Sequence, residues 1–345
     1  LASDPTLTAI TLGRRATLAP VLSLALLLLA LLIGLTVGPF HLTPGQIVDL
    51  LAARISGEVP SGPEASVLFN IRVPRVAAAA LVGAALAAAG AAYQVTFRNP
   101  LVSPDILGVS AGAGLGAVLG IFLGQSVVMI QAMGFAGGLA TVALVMAIAA
   151  GVGRGDTLAL VLCGIAVGAL AGAGISMLKV LADPDDQLPA ITFWLLGSLA
   201  GIKADDVALA APAILLGVVP LIALRWRIGL LAMGEDEARA MGVETVRLRW
   251  LVIACATLMT AAAVAASGMI GWVGLMVPHM ARLITGPRFD RLLPVSVLLG
   301  AAFLVLVDTA ARSIALTEMP LGILTAVLGA PVFLLLLARR ERGWA

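Results

Sequence analysis

The chain is short of charge, histidine, cysteine and lysine. Only 12% of its 345 residues are charged, against 61% hydrophobic, and it has two histidines and two cysteines. A net charge of +2, with Arg and Lys scattered in ones and twos, gives no basic block for nucleic acid, so a nucleic-acid partner is excluded. Cys163 and Cys255 both lie in apolar runs, where a thiol acts as a small hydrophobe, so neither a disulfide framework nor a metal site is expected. The only lysines, Lys179 and Lys203, follow Leu178 and Ile202. A phosphate-binding G-x-x-x-x-G-K-[ST] loop is therefore missing, and any ATP hydrolysis belongs to another polypeptide.

What is present is apolar sequence in long runs, with 38 glycines and a mean hydropathy of +1.10, the composition of a multi-span membrane protein. A helix needs about 20 apolar residues to cross a bilayer. On that measure the chain offers ten spans, near 16–37, 76–95, 105–124, 127–150, 158–180, 207–224, 250–269, 271–286, 294–312 and 322–338. Gly268, Gly271, Gly274 and Pro278 mark a place where one long segment breaks into half-helices. Arg14-Arg15 before an apolar run resembles a secretion signal, but the run is too long and lacks an A-x-A site, so it reads as the first span. An even span count puts both termini on one side. That side carries fifteen Arg, and the other carries Arg54, Arg72, Arg75, Lys179, Lys203 and Arg312, which predicts cytoplasmic termini.

One stretch departs from the greasy background. Gly229–Arg249 reads GLLAMGEDEARAMGVETVRLR, with Glu235, Asp236, Glu237 and Arg239 opposite Leu230, Leu231, Ala238 and Met241. It is predicted to be a short amphipathic helix on the cytoplasmic side, where a soluble partner can reach it. On the outside, Thr43-Pro44 reads as an N-cap and first helical residue of a short helix through Ile55, with His41 just before it.

Other motifs carry less. Gly108-Val109-Ser110-Ala111-Gly112 matches a nucleophile elbow and Gly112-x-Gly114-x-x-Ala117 a dinucleotide fingerprint, but both lack the strand each needs. Stripes of small residues, Gly112, Gly116, Gly120 and Gly124, then Gly164, Gly168, Gly172 and Ser176, are expected to serve close helix packing. His279 reads as a capping or packing residue at a helix end. Asp183, Asp185 and Asp186 read as a solvated outer loop.

Taken in order, several segments resemble the permease subunits of the iron-siderophore, haem and vitamin B12 family of ATP-binding cassette importers. They are Arg72-Val73-Pro74-Arg75, Gln94 with Arg98-Asn99-Pro100-Leu101, Pro104-Asp105-Ile106-Leu107-Gly108, Trp194 with Gly197-Ser198, and Gly234…Ala238…Gly242. Further on come Gly274-Leu275…Pro278-His279…Arg282, Asp308…Arg312, Glu318-x-Pro320-x-Gly322 and Gly329-Ala330-Pro331-Val332-Phe333. The resemblance covers the chain from about residue 72 onward; Trp272 departs from its usual Phe. It implies an all-α membrane protein of about ten helices forming one permease domain, 1–345, that pairs with a second copy. It implies a bacterial inner-membrane location, a partner pair of ATPases holding ATP and Mg, and a periplasmic binding protein, with no cofactor or metal on this chain itself.

It further implies a coupling helix over about 229–242, with Leu230, Gly234, Glu235, Glu237, Ala238, Arg239 and Gly242 seated against the ATPase. Asn99 and Leu101 match a cytoplasmic gate. Arg72 and Arg312 match positions that pair with acidic residues of the binding protein, and they are two of six basic residues outside; an i,i+4 pair of Arg312 with Asp308 is the alternative. The expected cargo is an iron chelate, haem or corrinoid, with molybdate as the runner-up. The rivals are a secondary transporter, for which Asp308 is the only intramembrane carboxylate in view, and an intramembrane hydrolase built on Ser110 and His279.

Overall fold

The structure is a computed structural model describing residues 5–153, 157–314 and 317–340, with side chains over 18–152, 157–314 and 317–335. Arg154 and Arg342 of the charge count lie outside the described residues, and Arg14, Arg15, Arg339 and Arg340 outside the described side chains. Every element described is helical. In chain order they are α1 (Pro5–Thr36), α2 (Pro44–Ile55), α3 (Pro63–Ser66), a π turn (Val67–Arg72), α4 (Val73–Thr96), a 3-10 turn (Pro104–Leu107), α5 (Val109–Phe122), α6 (Val127–Gly153), α7 (Thr157–Leu181), α8 (Gln187–Leu196), α9 (Ala204–Ala223), α10 (Arg225–Leu230), α11 (Glu235–Ala240), α12 (Thr245–Ser267), α13 (Val273–Thr285), α14 (Phe289–Ala311) and α15 (Leu321–Arg340).

All ten predicted spans fall on helices, and among the described residues seven helical stretches are long and apolar enough to cross a membrane unaided. The predicted spans at 105–124 and 271–286 fall on the shorter apolar helices α5 and α13, and the one at 322–338 falls on α15. The fourteen residues of α5 reach about 21 Å at 1.5 Å per residue, well short of a hydrocarbon core of about 30 Å. Helix α8 was not foreseen, because QLPAITFWLL is too short for a span and carries no polar face. Gly197, at φ 73°, ends it in a left-handed turn against the backbone of Met269.

Helix α4 is the axle. Its sequence, VPRVAAAALVGAALAAAGAAYQVT, is nearly all Ala and Gly, so neighbouring backbones come close and dispersion contacts accumulate where lipid supplies no hydrophobic drive. Most of α4, α12 and α14 is buried, whereas α7 shows most of its surface outward. One continuous core runs through these three helices and α13. A β-carbon on Gly90 would stand 1.8 Å from the Gly274 carbonyl oxygen of α13, and one on Gly83 2.2 Å from the Gly300 oxygen of α14. Gly90→Val should accordingly push α4 and α13 apart and remove most folded protein from the membrane, read as the monodisperse fraction after detergent extraction. Gly45→Val, at a site with open space around it, should extract like the parent.

The π turn has a local cause. Pro74 has no N–H and its ring crowds the carbonyl four residues back, so the helix widens and the Val73 N–H bonds instead to Leu68 O. The capping prediction at α2 is met in full: Thr43 Oγ1 accepts from Gln46 N at 3.3 Å and Gln46 Oε1 accepts from Thr43 N at 2.9 Å.

Candidate functional site

The charged island lies at one end of the bundle. The predicted single helix over 229–242 needs correcting: the segment folds as two short helices, α10 and α11, parted at 231–234. Gly234 sits at φ 132°, a conformation closed to most side chains, so α10 cannot run on into α11. Glu235, Asp236 and Glu237 then occupy the first turn of α11, where the N-terminal backbone N–H groups favour negative charge. Gly242, at φ 79°, ends the helix with Val243 N bonding back to Ala238 O at 3.0 Å, a Schellman closure.

Leu230, Leu231 and Ala238 face the core as expected, but Met241 does not; it stands 53% exposed, and Met233 61%. The end of the island therefore offers two exposed methionines next to exposed Asp236, Glu237 and Arg239. Glu235 serves a different purpose from Glu237. Its carboxylate is hydrogen-bonded by Arg249 of α12 and by Arg239 at 3.2 Å, so it ties the island to a spanning helix. The hydrogen bond from Arg249 holds its carboxyl below the ordinary glutamate range, against the opposing pull of burial.

At the same end, the backbone leaves α4 through Arg98, which adopts φ 49°, and Asn99 N closes back onto Gln94 O at 3.0 Å. Asn99 Oδ1 accepts from Leu101 N at 2.9 Å, an Asx turn around Pro100 that fixes Leu101 with 45% of its surface exposed. Gln94 bridges α4 to α13, donating to Leu275 O at 3.2 Å and accepting from Arg282 at 3.0 Å. The turn bearing Asn99 and Leu101 is thus braced directly by the core helices.

The far end holds a buried charge cluster. Arg75 Nε lies 2.9 and 3.0 Å from the two oxygens of Asp308, and its Nη1 lies 2.8 Å from Glu318. Arg312 approaches Asp308 at 3.7 Å. The expectation that Arg72 and Arg312 stand as exposed rim charges needs correcting, for they are only 2% and 6% exposed. Arg72 donates to the carbonyls of Leu35, Thr36 and Phe40, and Arg312 to that of Gly34. These belong to the last turn of α1 and the loop after it, where carbonyls have no partner within the helix. The two arginines cap α1 from other helices.

The stripes of small residues do pack within the chain. β-Carbons on Gly112 and Gly116 would collide with α6, one on Gly120 would meet Ile130 of α6 tightly, and one on Gly164 would collide with Ile106 and Leu107; Gly172 and Gly124 face open space. Asp183 Oδ1 accepts from Asp185 N and Asp186 N, folding a turn. Ser110 Oγ donates to Asp105, while His279 rests against Phe333 at 6.4 Å between ring centroids. Neither forms the hydrolase pair. Among the described residues no three His, Cys, Asp or Glu side chains gather as metal ligands.

Sequence reasoning overlooked Asp105. Read as the first residue of a full span, it belongs instead to the separate 3-10 turn of a segment that re-enters the bundle: a β-carbon on Gly274 would meet Pro104 and the Leu86 oxygen, and one on Gly108 would touch Gly168, mid-way along α7. The signal available was Pro104-Asp105 three residues ahead of a glycine, a turn inside what looked like a helix.

The model of the FecCD transport family matches residues 26–339. The chain is 39% identical over 318 residues to the molybdate import system permease protein MolB of Haemophilus influenzae, covering 92% of this chain and 94% of that one. It is 44% identical over 291 residues to the cobalamin import system permease protein BtuC of Halobacterium salinarum, covering 84% and 78%. A solved inward-facing conformation of an ABC transporter described as of the metal-chelate type superposes with a TM-score of 0.84 at 37% identity, over 93% of this chain and 98% of that one. Agreement in sequence and backbone over nearly the whole length settles the class: the chain belongs to the FecCD transport family, as a multi-pass membrane permease of an ABC importer.

Proposed function

We propose that the chain is the permease subunit, a single domain working as a pair of copies in the bacterial inner membrane, that carries an iron chelate, haem or corrinoid inward. ATP and Mg are held by two partner ATPases seated on the island end, which faces the cytoplasm together with both termini. The observation that carries this reading is the island itself. In a chain with 12% charge, an acidic helix flanked by exposed methionines is pinned to α12 by Glu235 and Arg249, a rigid lever rather than a loose loop. Glu237, Arg239 and Gly242 supply its outward face and its end; Leu230 and Ala238 supply its root.

Asn99 and Leu101, braced by the core, form the gate on the same side. The binding protein docks at the far end. Arg72 and Arg312 act there as a positive field beneath the loop after α1, since their guanidiniums are engaged with α1 carbonyls. A molybdate cargo is the second reading, supported by the 39% identity to the Haemophilus permease of that name. The test is uptake into vesicles holding the chain and its ATPase, with binding protein loaded in turn with ferric chelate, haem, cobalamin or molybdate. One loaded form should drive ATP-dependent uptake; uptake driven by an ion gradient without ATPase would replace this reading with a secondary transporter.

A further inference from the structure

The polar pair Asp105 and Ser110 occupies an unusual place. The backbone from 97 to 108 is irregular or 3-10, and it climbs from the end of α4 to the middle of the bundle. Pro104 packs on Gly274 of α13 where that glycine also meets the Leu86 carbonyl, mid-way along α4, and Gly108 lies against Gly168 of α7. Non-helical backbone at such depth is tolerated only where protein buries it or water lines it. The protomer buries Val102, Pro104, Leu107 and Gly108 of this segment but leaves Asn99, Leu101 and, at its deep end, Asp105 exposed.

The Asp105 carboxylate accepts the Ser110 hydroxyl proton, and no Arg or Lys pairs with it among the described residues. Behind it, within electrostatic range, the buried Tyr93 hydroxyl meets Thr257 at 3.3 Å. A lone carboxylate turned toward lipid at mid-bilayer is strongly disfavoured, so its face belongs to water. Asp308, the other deep acid, is neutralised by Arg75 and carries no such implication.

Resting on the importer reading, we propose that Asp105, held by Ser110, lines the aqueous translocation path and sets its charge preference. The path admits neutral or cationic cargo, such as a wrapped metal chelate, in preference to a bare oxyanion. The carboxylate acts through its field in a confined channel, where a single charge shifts local ion concentrations by about tenfold.

The test reads that field without knowing the cargo. In a background carrying Cys163→Ala and Cys255→Ala, Ser110→Cys is placed in the full chain with its ATPase partner in vesicles. It is treated with a cationic and with an anionic methanethiosulfonate of similar size, with and without ATP, and each rate is normalised to that of a free thiol. The cationic reagent should react about tenfold faster than the anionic one. Asp105→Asn should bring the ratio to about one, and Asp105→Glu should keep it. Absence of reaction with either reagent in both conditions, or a ratio that Asp105→Asn leaves unchanged, overturns the proposal. Loss of ATP-driven uptake in the parent chain would instead count against the importer reading, and the reagent ratio would still stand on its own.

Discussion

Changing Glu235 and Glu237 together to arginine should cut co-purification of the ATPase at least tenfold while leaving the chain inserted and helical. The two positions contribute differently. Glu237 is exposed, so Glu237→Arg alone reverses the charge that a partner meets and should weaken association through the interface. Glu235 faces inward to Arg249 and Arg239, so Glu235→Arg sets a third guanidinium against them and loosens the island from α12. That variant should bind the ATPase weakly and also transmit its stroke poorly, giving ATP hydrolysis without uptake from whatever complex survives. Glu235→Gln should retain binding better than Glu235→Arg.

Acid gives an independent reading of the same tie. Because the carboxyl of Glu235 is held below its ordinary range in the fold, its contribution is complete above about pH 4.5 and fades as pH falls through the lowered value. The island should therefore stay resistant to proteolysis through the neutral range and become cleavable only in stronger acid, and Glu235→Gln should abolish that transition.

A second large effect is expected at the far end. Asp308 is 1% exposed and answers both Arg75 and Arg312, so Asp308→Ala leaves the buried Arg312 without its carboxylate and Arg75 with Glu318 alone. Breaking one partner of such a pair costs about 3–5 kcal/mol, because the remaining charge has lost both its partner and its water. The variant should lose most of its folded yield, seen as a fall in thermal midpoint of the extracted protein. Replacing both members, Asp308→Leu with Arg75→Met, should recover part of that loss, since the Arg75 charge goes with its partner while Arg312 keeps only its bond to the Gly34 carbonyl. Wild-type stability in Asp308→Ala would mean that the cluster is solvated rather than sealed.

The positions and order of the apolar helices were legible in the sequence because hydropathy over twenty residues is a strong signal. Their lengths were not. Helices α5 and α13 begin at mid-bundle and α8 never crosses, since what ends them is a neighbouring backbone, Gly168 against Gly108 or Met269 against Gly197, rather than a local break in composition. The island was visible as charge against an apolar background, yet the left-handed Gly234 split the helix expected there. Arg72 and Arg312 looked like free charges because their partners are carbonyls of α1, more than thirty positions away in the chain and silent in any reading of side chains. Asp105 escaped notice for a related reason: a charge at the apparent start of a span looks interfacial until the backbone is seen to turn inward.

The central claim is that an ATPase works this permease through the α10–α11 island. The direct measurement is ATP hydrolysis by the purified complex in liposomes, with and without loaded binding protein, for the parent and for the Glu235→Arg, Glu237→Arg double variant. Stimulation by the loaded protein in the parent and its loss in the variant is the predicted result. An island variant that couples hydrolysis and uptake as well as the parent does would contradict the account.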